Sequence, residues 1–259
     1  MPTILSMLIL ALLSLNTLAA KDIDPSDPTK IYTYMGGGFK YTDYTNDETM
    51  SEVRATGNLG ISDNDMMMFE FGYGYHDGEI SESGLTNARA RYFHLFDMDY
   101  SVSSGYRGWA IQVDAQIAGE LKGTDGQNVV AVGALPAFGI SELWSFYLPL
   151  NLVNSWDKNF SYYNGLGVSV SPLLVYNPSW WDASYIQFWP NYTYFLSGDL
   201  KNQGSGNLDI IMGGAITKTV MWATTFQQNF DIDLNTYRRS HDSGLKNDYN
   251  LFVNITTYF

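Results

Sequence analysis

The stretch WAIQVDAQIAGEL, from Trp109 to Leu121, sorts its residues by parity. Trp109, Ile111, Val113, Ala115, Ile117 and Leu121 occupy one set of alternate positions, and Gln112, Asp114, Gln116 and Glu120 the other. Successive side chains of a β-strand leave opposite faces, so this stretch forms a ribbon with one apolar and one wet side. Glu52 to Ile61 repeats the arrangement, with Val53, Ala55, Gly57, Leu59 and Ile61 set against Glu52, Arg54, Thr56 and Asn58.

The same reading carried outward gives about twelve candidate strands separated by polar punctuation. They lie near 31–41, 51–61, 65–76, 86–97, 106–121, 128–139, 142–153, 160–176, 183–197, 207–217, 219–230 and 248–259. The stretches 128–139 and 160–176 alternate less clearly, because one face there is built from Ala131, Gly133 and Ala137, then Gly165, Gly167, Ser169 and Ser171. Short connections around Ser62-Asp63-Asn64, Gly139–Glu142 and Lys218 alternate with longer polar ones at Thr42–Met50, Asp77–Leu85, Gly198–Gly206 and Asp231–Asn247. Asp99–Gly105 and Asn177–Asp182 are longer than a strict alternation requires. Short turns on one side and long loops on the other are the habit of a transmembrane barrel with both termini on the short-turn side.

The two ends of the chain point the same way. Ile4 to Leu18 is apolar apart from Ser6, Ser14, Asn16 and Thr17, and it leads into Ala19-Ala20. This reads as a signal peptide over 1–20, cleaved on export, although no Lys or Arg precedes the apolar run. At the other end Tyr249, Leu251, Val253, Ile255, Thr257 and Phe259 alternate with Asn250, Phe252, Asn254, Thr256 and Tyr258. That amphipathic last strand, closed by an aromatic residue, resembles the terminal-strand signal of Gram-negative outer-membrane proteins, with Thr257 where an aromatic is often found. The resemblance implies that Tyr249, Leu251, Val253, Ile255 and Phe259 are read by the barrel-assembly machinery.

The expectation is an all-β fold: an antiparallel up-and-down transmembrane β-barrel over 31–259, preceded by a short periplasmic segment over 21–30. In hydrocarbon every backbone N–H and C=O needs an internal partner, and closing the sheet removes the unpaired edge. The outer face must then be apolar, while the inner face is free to be polar. The chain has no cysteine, so hydrogen bonding and burial hold it together without disulfides. Aromatic residues near segment ends (Tyr106, Trp109, Trp144, Tyr147, Trp180, Trp181, Tyr192 and Tyr194) read as girdles at the lipid headgroups. The net charge of −13 argues against nucleic acid or anionic lipid as a partner.

Function is expected in the lumen. By parity Glu52, Arg54, Glu70, Arg89, Arg91, Gln112, Asp114, Gln116 and Glu120 point inward and could line a pore. With charge on one wall and small residues on the other, an eccentric channel is expected. The alternative is a salt-bridged network that fills the barrel. No catalytic, cofactor or metal site is assigned. His76, near Glu70 and Asp77, reads as a solvated loop-edge histidine; His94 falls on the outer face and His241 in the longest loop. Outer-membrane phospholipases carry a histidine followed by a Ser-Asn-Gly run, and His76-Asp77-Gly78, His94-Leu95-Phe96 and His241-Asp242-Ser243 do not repeat it. Asp22, Asp24 and Asp27, interleaved with Pro25 and Pro28, and Asp231 and Asp233 lack the pattern of a calcium loop. They read as a solvated tail and an acidic loop. Gly36-Gly37-Gly38 reads as a closely approached strand.

The segment before the first strand is too short for a plug domain, unlike the TonB-dependent receptors or the fatty-acid transporters with their N-terminal hatch. In size and strand count the chain resembles the small outer-membrane transporters grouped with aromatic-degradation pathways and the twelve-stranded nucleoside channels. The function expected is passive passage of a small solute across a Gram-negative outer membrane, with lipid around the barrel. A structural or adhesive surface barrel, a lipid-acting enzyme and a secreted carbohydrate-binding β-protein are the alternatives.

Overall fold

The computed structural model describes residues 23–44, 48–78, 81–120, 127–181, 183–233 and 249–259. The expected signal peptide, Asp22, Leu121 and His241 lie outside them. The strands are β1 (Tyr34–Asp43), β2 (Thr49–Gly60), β3 (Asp65–Asp77), β4 (Glu82–Phe96), β5 (Gly105–Ile117), β6 (Gln127–Gly139), β7 (Trp144–Tyr147), β8 (Leu150–Asp157), β9 (Tyr163–Val170), β10 (Leu173–Tyr176), β11 (Ser184–Phe195), β12 (Gln203–Ala215), β13 (Val220–Asp233) and β14 (Tyr249–Tyr258).

Each strand pairs antiparallel with its neighbours, and β1 pairs with both β2 and β14, so the sheet closes on itself. At the closing seam Gly36 and Gly38 bring β1 against β14 so tightly that a Cβ on Gly38 would lie 2.1 Å from the Val253 carbonyl oxygen. The barrel has twelve staves, because β7–β8 and β9–β10 are each one stave interrupted in the middle. The interruptions fall at Leu148-Pro149 and Ser171-Pro172, where a proline has no N–H for the ladder. Pro136 on β6 and Pro190 on β11 stand level with them. The ladder is carried past this row by Leu148 N–H to the Pro136 carbonyl and Ser171 N–H to the Pro149 carbonyl, both 3.0 Å.

Burial alternates as the sequence does, but with the apolar side outward. Val53 is 68% exposed and its neighbour Glu52 1%. Met35, Phe71, Val113, Leu152, Phe188, Met212, Val253 and Ile255, spread over the whole wall, are likewise exposed. A soluble protein does not present a continuous apolar surface of this extent, whereas lipid solvates it. Aromatic contacts gather at both rims. Phe96 stacks on Trp109, Trp144 on Tyr176 and Trp180 on Trp181 at the short-turn end, and Phe226 stacks on Tyr249 towards the other end. Tyr147 is not part of a girdle; it points inward and is buried in the core.

The strands outrun the sequence reading at the long-loop end. β1 and β2 leave only 44–48 between them, and β3 and β4 only 78–81, so two connections expected to be long are tight. Asp231 and Asp233 belong to β13 rather than to a loop.

Candidate functional site

Inside the wall two environments follow one another along the axis. At the short-turn end the inner face is apolar: Met66, Phe93, Leu95, Ala110, Leu135, Ala137, Tyr147, Leu173 and Val175 pack into one cluster, with Ile31, Met68, Met98 and Trp189 against it. Nearer the middle the inner face becomes polar and charged.

The charged wall is a ladder across β2 to β5. Arg54 Nε donates to Glu52 Oε1 at 2.5 Å and Arg54 Nη1 reaches Glu70 Oε2 at 3.3 Å. Arg91 Nη2 donates to Glu70 Oε1 at 2.9 Å, and Arg89 makes a forked pair with the Asp114 carboxylate, its Nε 2.9 Å from Oδ1. Register sets Glu70 opposite Arg89, Arg91 opposite Asp114 and Arg54 opposite Gly72, and each ion pair runs diagonally from there, Glu70 to Arg91, Arg89 to Asp114 and Arg54 to Glu70. Opposite charges on adjacent staves satisfy one another because a buried charge without a partner is costly. Asp209 on β12 interacts electrostatically with Lys40 on β1 and with Arg89 on β4, so the ladder is felt from the opposite wall. Phe252 lies under the Arg54 guanidinium, 5.6 Å from its ring centre.

Eight of the nine residues expected to line the lumen stand on the inner side of the wall: Glu52, Arg54, Glu70, Arg89, Arg91, Gln112, Asp114 and Gln116. Glu120 does not. β5 ends at Ile117, and Glu120 is exposed in the following loop, where its carbonyl accepts a hydrogen bond from Lys158. Lys40, Arg107 and Asp209 also stand on the inner side. Lys40 and Asp209 lie on strands that alternate less strongly, and Arg107 has the odd number of the outward set on β5 but is turned inward by the bulge between Tyr106 and Gly108.

The small-residue wall is not an empty channel. Gln112 on β5 donates to Asn151 on β8, whose Nδ2 donates to Ser169 on β9 at 3.1 Å. This chain crosses Gly133, where a Cβ would lie 2.3 Å from Asn151 Oδ1. Lower down, the apolar cluster fills the space over Ala137. Hydrogen-bonded polar side chains therefore run along this wall between neighbouring staves. A cavity of about 240 Å³ instead runs along the charged wall, lined by Glu70, Arg89 and Arg91 on one side and Tyr34, Tyr185 and Tyr258 on the other.

His76 is not a solvated loop-edge residue. It is fully buried on β3, its Nε2 lies 3.4 Å from Glu48 Oε2, and neither Glu70 nor Asp77 pairs with it. His94 faces outward, with Nδ1 2.7 Å from Asp65 Oδ1. On the inner side near the long-loop end, Thr42 Oγ1, Glu52 Oε2, Thr86 Oγ1 and Asn87 Oδ1 are buried with no hydrogen-bond partner.

The N-terminal segment is also not a solvated tail. Ser26, Asp27 and Thr29 are buried inside the short-turn mouth. Asp24-Pro25-Ser26 and Asp27-Pro28-Thr29 are two copies of one turn, in which the aspartate Oδ1 accepts from the N–H and hydroxyl two residues on. Lys30 Nζ closes back on Asp24 Oδ2 at 2.8 Å. Asp24 is thus occupied within the segment, and Asp27 also meets the Tyr147 hydroxyl on β7. Burial raises the Asp27 carboxyl above its ordinary range. Burial opposes ionisation of Asp24 as well, but Lys30 and Ser26 more than offset it and hold that carboxyl low.

No protein-family model and no curated protein matches the sequence. The fold does find counterparts. An outer membrane channel from Pseudomonas putida F1 superposes with a TM-score of 0.59 over 92% of this chain and 100% of that one, at 9% identity. The KdgM porin, in complex with disordered oligogalacturonate, gives 0.54 over 87% and 99%, at 9% identity. The NanC porin gives 0.54 over 88% and 99%, at 6% identity. At these identities the likeness is one of fold, a closed antiparallel barrel of the outer-membrane kind.

Proposed function

We propose that the chain is a passive, non-enzymatic channel for a small solute, resident in a Gram-negative outer membrane after export and barrel assembly. The observation that carries the reading is the division of environments across one wall: apolar outside all the way round, ion-paired and polar inside. A barrel of twelve staves has a backbone radius of roughly 12 Å, and inward side chains from opposite walls leave only a few ångströms between them. The ion pairs join neighbouring staves, and the cavity of about 240 Å³ beside them leaves room for a small solute only. Buried polar atoms without partners, such as Glu52 Oε2 and Asn87 Oδ1, are costly in a dry interior and suit a wet one. The channel and porin neighbours lend the fold, and their cargoes are their own.

An adhesive barrel filled by the same ion pairs would carry no current, and conductance separates the two. For a lipid-acting enzyme, His76 and His94 are the candidates within the described residues; the first meets Glu48 and the second Asp65, and neither bonds a serine hydroxyl. The test is conductance in planar bilayers of the wild type and of Arg89→Ala with Arg91→Ala. Removing two positive charges beside Glu70 and Asp114 should turn the selectivity towards cations. Silence of both forms would sink the channel. Liposome swelling over solutes of graded charge and size would then identify what passes, and sarkosyl-insoluble fractionation checks the location.

A further inference from the structure

The inference rests on the channel reading and concerns what closes the channel. The N-terminal segment spans the mouth from one side of the barrel to the other. The Tyr32 carbonyl accepts from Asn58 Nδ2 on β2 at 2.7 Å. The Thr29 carbonyl accepts from the Tyr100 hydroxyl, in the turn between β4 and β5, at 2.8 Å. On the far side the Ser26 carbonyl accepts from Gln187 Nε2 on β11, also at 2.8 Å. Ile31 packs on the apolar cluster of the lumen.

Two cavities meet this segment. The one along the charged wall touches Pro25. A second, of about 140 Å³ and lined mostly by polar groups, touches Asp24, Ser26, Asp27 and Lys30 and reaches Glu142 and Asn177 in the short turns. The segment thus contributes lining to both. Its two aspartates bond within the segment, which makes it a folded unit. Its ties to the wall are hydrogen bonds from Asn58, Tyr100 and Gln187 to its carbonyls, the Tyr147 hydroxyl against Asp27, the join of Thr33 to Gly60 and Phe259, and the apolar contact of Ile31.

We propose that residues 24–33 are the plug of this channel: seated, they separate the mid-lumen cavity from the short-turn mouth, and a solute passes only when they shift. The plug therefore sets which solutes pass, and Gln187, Tyr100 and Asn58 are the residues that position it.

The chain has no cysteine, so introduced thiols report alone. Three forms are compared in planar bilayers, each first shown by heat-modifiable gel migration to be a closed barrel: wild type, a chain lacking residues 23–30, and Ser26→Cys with Gln187→Cys bridged by a short bis-maleimide. Deletion should raise single-channel conductance several-fold, and the bridge should abolish the openings that the unbridged double variant still shows. If wild type conducts and neither deletion nor bridge alters it, the plug is wrong and the channel stands. If none of the three conducts, the channel reading falls and takes the plug with it. Should the deletion prevent barrel closure, Tyr100→Phe with Gln187→Ala loosens two ties in the full chain. It must then raise opening frequency and speed labelling of Thr29→Cys by a membrane-impermeant maleimide; no change in either overturns the proposal.

Discussion

Glu70 is the hub of the charged ladder, and Glu70→Gln isolates its charge while keeping its shape. In the structure it holds Arg91 at 2.9 Å and Arg54 at 3.3 Å, and it accepts from Asn87 at 3.4 Å. Arg54 keeps Glu52 after the change, whereas Arg91 loses its ion-pair partner. Removing one member of a fully buried pair costs about 3–5 kcal/mol. The Glu70 and Arg91 side chains are 19% and 14% exposed to the lumen, so water recovers part of this and the expected loss is ~2 kcal/mol. The effect on permeation is separate. An ion passing roughly 6 Å from this position, in a medium as polar as water, feels the lost charge as ~0.7 kcal/mol. That is a factor of about 3 for each sign of ion, hence about 10 in the anion-to-cation permeability ratio at low salt, less as salt shortens the Debye length. Reversal potentials under a potassium chloride gradient measure the ratio, and urea unfolding in liposomes measures the stability. An unchanged reversal potential in a conducting channel would remove Glu70 from the ion path. An unchanged midpoint would show that Arg91 does not need it.

Three further outcomes are expected. Val53→Arg, on the outer face of β2, should cost about 2–4 kcal/mol in liposomes if it lies near the bilayer midplane, and little if the face is water-exposed. Gly38→Ala forces a Cβ against the Val253 carbonyl at the β1–β14 seam, and should lower the temperature at which the barrel loses its heat-modifiable mobility; an unaltered transition would refute the tight closure. The raised Asp27 carboxyl favours the seated segment when protonated, so that contribution is present below the ordinary value of 3.8 and is lost as pH rises through the elevated one. Asp24 has the opposite sign, its contribution being lost only as pH falls through a carboxyl already below 3.8. Above that value Asp27 is the carboxyl of the segment that changes, so single-channel open probability should rise as pH rises above 3.8, and Asp27→Asn should remove that rise.

What the residues wrote locally survived folding. Strand ends read from Trp109 to Leu121, from Glu52 to Ile61 and from Tyr249 onward moved by a few residues, because alternation is a property of each strand alone. The same parity put Glu52, Arg54, Glu70, Arg89, Arg91 and Asp114 on one face without knowledge of their partners. Which of them pair depended on register between staves, and register is decided by closure of the whole barrel. Glu120, three residues past the last paired residue of its strand, shared the parity of Gln116 and looked the same in sequence.

The tertiary structure alone decided what fills the lumen. Gly133 and Ala137 read as empty space, yet the first lets Asn151 and Gln112 meet across it and the second lies beneath Tyr147 and Leu173. The segment Asp24-Pro25-Ser26-Asp27-Pro28-Thr29 has the composition of a solvated tail and reads as one in sequence. That it folds into the mouth followed from Gln187, Tyr100 and Asn58, distant in sequence and gathered only when β2, β4, β5 and β11 take their places around the axis. A strand's two faces are set by its own covalent geometry, whereas the inside of a barrel exists only once every stave is in place.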